Sequence, residues 1–176
     1  MKLAAADPPL RFVVVGIGTP GVLAHLPVLA GRLAAAAGLP LRSIRSPEDP
    51  QESLADLAGS GAGWLAALPI DPGLPLPAGG SWAEALGAWR QPTLLVLMGD
   101  QLATGLPAAA TALLRQCGVP LLGLVQAGGR WQAGERRRDG LPWLGAVGVA
   151  EGGEPEELLT VVLLRWRQLL ELPPAG

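Results

Sequence analysis

The chain has 176 residues, of which 49% are apolar and 16% charged, with a net charge of −2. That length makes one domain of ordinary size, able to bury roughly 70% of its unfolded surface. With no basic field to steer nucleic acid or an anionic membrane, neither is expected as a partner.

Lys2 is the only lysine, against twelve arginines, and there is no Asn or Tyr. With the abundant Ala, Gly, Pro and Leu, this is a bacterial-type composition of the kind that GC-rich coding produces. It excludes any mechanism that needs a lysine away from the N-terminus. The lone Cys117 rules out an internal disulfide and a cysteine-based zinc site, and the lone His25 rules out a histidine-rich metal centre. No metal site is expected. Residues 12 to 31 are twenty uncharged positions, but six of them are Gly or Pro and Asp7-Pro8-Pro9 precedes them. A spanning helix or secretion signal fits badly, so a cytoplasmic protein is expected.

In chain order, residues 1 to 10 read as a loose lead-in and Arg11 to Val15 as a buried strand. The strand runs into GIGTPG, Gly16 to Gly21. The segment LPVLAGRLAAAAG then has helical propensity and a stop at Gly38. Pro27 fits only in a first helical turn, so that helix begins near Leu26. A second strand follows at 40 to 44. SPEDPQESLADLAGSG reads as a helix with a serine cap, early acids and a glycine end.

A third strand at 63 to 71 enters a Pro/Gly-rich loop, and Ser81 caps a short helix to Trp89. On that helix Trp82 and Trp89, seven apart, are expected to share a core-facing side. PTLLVLMGD, 92 to 100, is a fully apolar run and therefore a central strand. A helix begins at Pro107 and stops at Gly118. A buried strand covers 119 to 126, a polar loop 128 to 140, and a short last strand 141 to 149. EPEELLTVVLLRWRQLLEL closes the chain as a long helix, acidic at its start and basic near its end. Its leucines and valines occupy most of its circumference, which leaves room for a homodimer built on it.

Strands alternate with helices and are continuous apolar runs, the signature of a sheet covered on both faces. The expected fold is a single α/β domain: one doubly wound, mostly parallel sheet in a three-layer, Rossmann-like or P-loop-like arrangement. Ligands of such sheets sit beyond the carboxyl ends of the strands. The candidate site therefore lies at 16 to 25, at Gly99 to Thr104, and after Val125.

GIGTPG follows a strand and precedes a helix, the context that the dinucleotide fingerprint GxGxxG requires. Its glycines would let backbone N–H groups approach a phosphate. A tight turn that uses glycine for positive φ is the structural alternative. Arg45, at the end of the second strand, would suit a 2′-phosphate, or would be an ordinary solvated arginine. Read as a phosphate loop, the motif has Val22-Leu23 where lysine and serine or threonine belong, so the β- and γ-phosphates lose their counter-charge and Mg²⁺ a ligand.

From GWLAALPID through PTLLVLMGD, the helix ending at Gly118, VPLLGLVQ and LPWLGAV, the chain resembles dethiobiotin synthetase and related P-loop ATPases over about eighty residues. GTPGV, Gly18 to Val22, is similar to the loop that precedes the family's lysine. The resemblance implies the fold more than the activity, and Gln126 stands where the family has an adenine-reading asparagine.

Asp71 and Asp100 end strands, where a carboxylate serves either a metal or a turn. The candidate ligand-binding residues are Gly16, Gly18, Thr19, Gly21, His25, Arg45, Asp100 and Gln126. No catalytic constellation and no named cofactor emerge. The favoured function is a non-hydrolysing domain that binds a small molecule, with an anionic one in view, or a protein partner. A nucleotide-dependent enzyme, NADP-linked through Gly16, Gly18, Gly21 and Arg45, is one alternative. A structural protein that oligomerises through its last helix is the other. Gly18→Val is expected to close the space above the turn while sparing the strand.

Overall fold

Every residue from Phe12 to Gly16 is buried, and alternate side chains leave the strand toward opposite faces. Phe12 and Val14 join one apolar cluster, Val13 and Val15 another. This two-sided burial governs the whole sheet. The computed structural model describes residues 8–148 and 155–171. Its six strands are β1 (Arg11–Gly16), β2 (Leu41–Ser43), β3 (Trp64–Ala67), β4 (Thr93–Met98), β5 (Leu121–Ala127) and β6 (Trp143–Val147). All pairings are parallel, in the order β2-β3-β1-β4-β5-β6. The doubly wound α/β expectation holds, and PTLLVLMGD is central, beside β1.

The helices are α1 (Pro20–Leu23), α2 (Leu26–Ala36), α3 (Pro50–Ala58), α4 (Trp82–Ala88), α5 (Leu106–Gln116), α6 (Ala133–Arg138) and α7 (Pro155–Glu171). α2 and α7 cover one face with Leu26, Leu29, Leu33, Leu158, Val162 and Trp166. α3, α4 and α5 cover the other with Leu54, Leu57, Leu86, Ala110 and Leu114. Each fully buried large side chain contributes about 1.5–3 kcal/mol.

Local signals set most boundaries. Proline stands in the first turn of α2, α3 and α5, where its missing N–H costs nothing. Ser81 caps α4 by accepting the Glu84 N–H, as expected. The cap of α3 is Asp49 and not Ser46: Pro50 fixes the helix start, and Asp49 accepts the Glu52 N–H at 2.9 Å. Ser46 instead supplies its carbonyl to the Ser53 hydroxyl at 2.8 Å.

Three expectations need correction. The polar segment 128–140 contains α6, whose six residues include none that is buried, so no apolar period marks it. Trp82 and Trp89 do not share a buried face. Trp82 is fully buried, whereas Trp89 caps the end of α4, is 40% exposed, and donates its indole N–H to Gln51. The last helix buries Leu158, Leu159, Val162 and Trp166 but leaves Val161 and Leu164 exposed. The apolar surface left on the outside of this helix is therefore a stripe, not the whole circumference.

α4 and α5 pack so closely that a Cβ on Gly87 would run into the carbonyl of Cys117. In an open helix interior Gly→Ala stabilises by about 1 kcal/mol. At Gly87 the sign reverses. Gly87→Ala is expected to destabilise by about 1–3 kcal/mol, the range for overpacking, read as a lower urea midpoint with an unchanged slope.

Candidate functional site

β1 and β4 are neighbours, and the chain leaves them in opposite directions, from β1 toward β2 and from β4 toward β5. The connections part there and open a crevice beyond the carboxyl ends. GIGTPG lies at that point. Gly16 is the buried last residue of β1, Gly18 has φ 126°, Thr19 is the N-cap of α1, and Gly21 is exposed in its first turn. The main helix starts at Leu26, as Pro27 implied, but the single turn α1 comes first. His25 lies between the two and is exposed.

Two side chains organise the turn. Asp71 accepts the Gly18 N–H through Oδ2 at 2.8 Å and the Gly73 N–H through Oδ1 at 2.9 Å. It is the turn aspartate the sequence suggests, and it also reaches across to the glycine motif. Gln101 lies on the 3-10 turn Gly99–Ala103 that follows β4, and is 7% exposed. Its Nε2 donates to the Ile17 carbonyl at 2.6 Å, and its Oε1 accepts the Met98 N–H at 2.8 Å. The ends of β1 and β4 are thereby tied through one amide. Sequence reading misses Gln101, because a glutamine after Gly-Asp in a turn carries no sign of burial.

These bonds decide what the turn can do. The Gly18 amide, which a phosphate oxygen would seek, is already paired with a carboxylate of the chain itself. Pro20 has no N–H, and the Val22 and Leu23 amides both donate to the Thr19 carbonyl. Among the described residues the Thr19 and Gly21 amides and the Thr19 hydroxyl have no partner, and both residues are exposed. Beneath His25, between Leu26, Leu29, Val96, Met98 and Ala127, the free space is about 10 Å³. That is the volume of about one water. A ligand at this turn would therefore lie on its surface.

The other candidate residues spread along the carboxyl edge. Asp100 is exposed on the 3-10 turn beside Gln101. Gln126, near the end of β5, is 1% exposed and donates from Nε2 to the Gly128 carbonyl at 2.8 Å. Its Oε1 has no hydrogen-bond partner among the described residues. Arg45 follows β2, which β3 separates from β1, so it stands about 10 Å from the turn in strand spacings. There it shares a cavity of about 170 Å³ with Glu52 and Asp56, two carboxylates that oppose a 2′-phosphate. The structure thus gathers Gly16, Gly18, Thr19, Gly21, His25 and the turn carrying Asp100. It leaves Gln126 one strand away and Arg45 two.

Trp131 is half-buried and meets the Trp143 ring edge-on at 6.2 Å. Arg136 lies 5.2 Å from the Trp143 ring centroid and pairs with Glu135 and Asp139. Burial, and after it the Glu84 carboxylate, push the Cys117 thiol above its ordinary range, which keeps it protonated and poorly nucleophilic at neutral pH. Among the described residues no group of three or more His, Cys, Asp or Glu could hold a metal. Nor is any helix there long and apolar enough to cross a membrane.

Compared with models of known protein families and with curated proteins, the chain matches none.

The geometry corrects the expectation for Gly18→Val. With φ at 126° any side chain is strained, and a Cβ would stand 3.2 Å from Gln101 Nε2. The exchange is expected to lower stability by about 1–3 kcal/mol, with the thermal midpoint falling whether or not a ligand is added. Gln101→Leu strands both the Ile17 carbonyl and the Met98 amide, each worth about 1–3 kcal/mol when buried and unpaired. It should destabilise more than Gln126→Leu, which releases only one bond, and chemical denaturation of the two variants checks that order.

Proposed function

We propose that this chain is a non-hydrolysing binding domain on a sheet of the nucleotide-binding type, similar in order and spacing to dethiobiotin synthetase-like ATPases. Its ligand is an anionic small molecule on the outer surface of the GIGTPG turn, or a protein partner. One observation carries the reading: the Gly18 amide is held by Asp71 at 2.8 Å. A nucleoside polyphosphate laid into this turn would bring its oxygens against that carboxylate with no lysine among the described residues to offset the repulsion. The donors left to a ligand include the Thr19 and Gly21 amides, the Thr19 hydroxyl and His25, which suit one small anionic group and not a metal-bound triphosphate chain. Arg45 lies too far away, and among carboxylates, to support the NADP-linked alternative.

The test is turnover and binding of ATP with and without Mg²⁺. ATP hydrolysis should stay at the level of a no-protein blank, and Mg²⁺ should leave any nucleotide affinity unchanged. Mg²⁺-dependent turnover above the blank would overturn the proposal. In a thermal-shift screen of phosphorylated and carboxylated metabolites, a compound that raises the midpoint of the parent should lose most of that effect with His25→Ala. Loss of one charge-assisted contact corresponds to about 1.5–3 kcal/mol.

A further inference from the structure

The two edges of the sheet are built differently. β2, at one edge, has three residues and carries Arg42, and a short, charged strand resists pairing with another chain. β6, at the other, has five residues, Trp-Leu-Gly-Ala-Val, with neither charge nor proline. Among the described residues no strand lies outside it. The Val147 carbonyl accepts the Gly128 N–H at 2.9 Å, so Val147 faces β5. In a parallel ladder the next residue inward, Ala146, then directs its N–H and carbonyl away from the sheet.

Alongside this edge runs a groove of about 500 Å³. The backbone from Leu144 to Gly148 lines it, with Trp131 from the loop after β5 and Leu158 and Val161 from α7. α7 runs back along β6. Leu158 lies against Gly145, and Arg165 bonds the Leu122 carbonyl at the amino end of β5. Val161 is 36% and Leu164 54% exposed. The charges near the edge are polarised along it. Arg137 and Arg138, both exposed, end α6 just before the amino end of β6, whereas Glu156 and Glu157 open α7 at its carboxyl end.

We propose that the β6 edge is a homodimer face, on which a second copy of this chain adds its own β6 in antiparallel register. A two-fold axis perpendicular to the sheet, about half a strand spacing outside the midpoint of β6, reverses the strand and preserves the faces. It lays the amino end of each β6 beside the carboxyl end of the other. Arg137 and Arg138 of one copy therefore approach Glu156 and Glu157 of the other, and the match occurs twice. The same operation sets the two α7 helices side by side on one face, where Val161 and Leu164 of each cover the other. The two sheets become one of twelve strands. A single acidic peptide in the groove would answer only the basic end and would leave the α7 stripe in water. A second copy satisfies the edge, the stripe and both charged ends together.

Sedimentation equilibrium or light scattering from about 1 to 100 µM, which covers the weak end of affinities for specific interfaces, tests this. The parent should reach twice the chain mass of 18.0 kDa. Ala146→Pro, which removes an outward donor, and Leu164→Glu, on an exposed position, should each weaken dimerisation by about tenfold or more, with far-UV circular dichroism unchanged. Glu157→Arg should weaken it, and adding Arg138→Glu should restore it, a rescue that a change in fold would not give. Should Ala146→Pro fail to fold, Leu164→Glu and the charge exchange decide the matter. A parent that stays monomeric throughout the range overturns the proposal. So does a dimer that persists undiminished in Leu164→Glu and in Glu157→Arg.

Discussion

The bond from Gln101 to Ile17 joins the two strands on which the others are laid. β1 and β4 lie at the centre of a sheet buried on both faces, and their carboxyl ends are where connections to either side part. A glutamine amide carries a donor and an acceptor at one end, so a single buried side chain can satisfy a carbonyl of one strand and an N–H of the next. Both contacts are made here, at 2.6 and 2.8 Å. Asp71 extends the tie to the segment after β3. The GIGTPG turn is thereby part of the internal hydrogen bonding of the domain.

That substitution has a simple energetic logic. A phosphate held by backbone amides must give up translational and rotational freedom, whereas a carboxylate on the same chain does not. Once Asp71 accepts the Gly18 N–H, an outside anion must displace a charge-assisted bond and tolerate a negative neighbour. Glycine is still needed at this position, because the path of the turn requires a positive φ of 126° at Gly18 even with its amide on Asp71. A glycine motif therefore reports the path of the chain more faithfully than it reports a ligand.

The same distinction explains what was legible in the sequence. The six strands and five of the seven helices were readable, because uninterrupted apolar runs, first-turn prolines and terminal glycines are local features. α1 was not, since four residues beginning at proline carry no period, and α6 was not, since it buries nothing. The position of GIGTPG at the carboxyl edge was readable from strand-turn-helix context. The Asp71–Gly18 pair spans 53 residues and the Gln101–Ile17 pair 84, and no spacing in the chain announces either. Arg45 shows the reverse limit. Its spacing along the chain suits a ribose-phosphate contact, but the strand order sets β3 between it and the turn.

Closure at the centre and openness at one side are connected. A parallel sheet gains stability by covering both faces, and α2, α7 and α3 to α5 do so here, but coverage of the faces leaves the two outermost strands to be dealt with separately. β2 is short and charged. β6 lies under a helix whose outer stripe is still apolar and beside a loop whose tryptophan is only half-buried. An edge with no partner strand among the described residues, an adjoining apolar stripe and opposite charges at its two ends is self-complementary under a two-fold axis. The turn at the centre has its Gly18 amide answered from within, by Asp71. Under the reading proposed for this chain, the lateral edge is left for a second copy and the outside of the turn for a small anionic group.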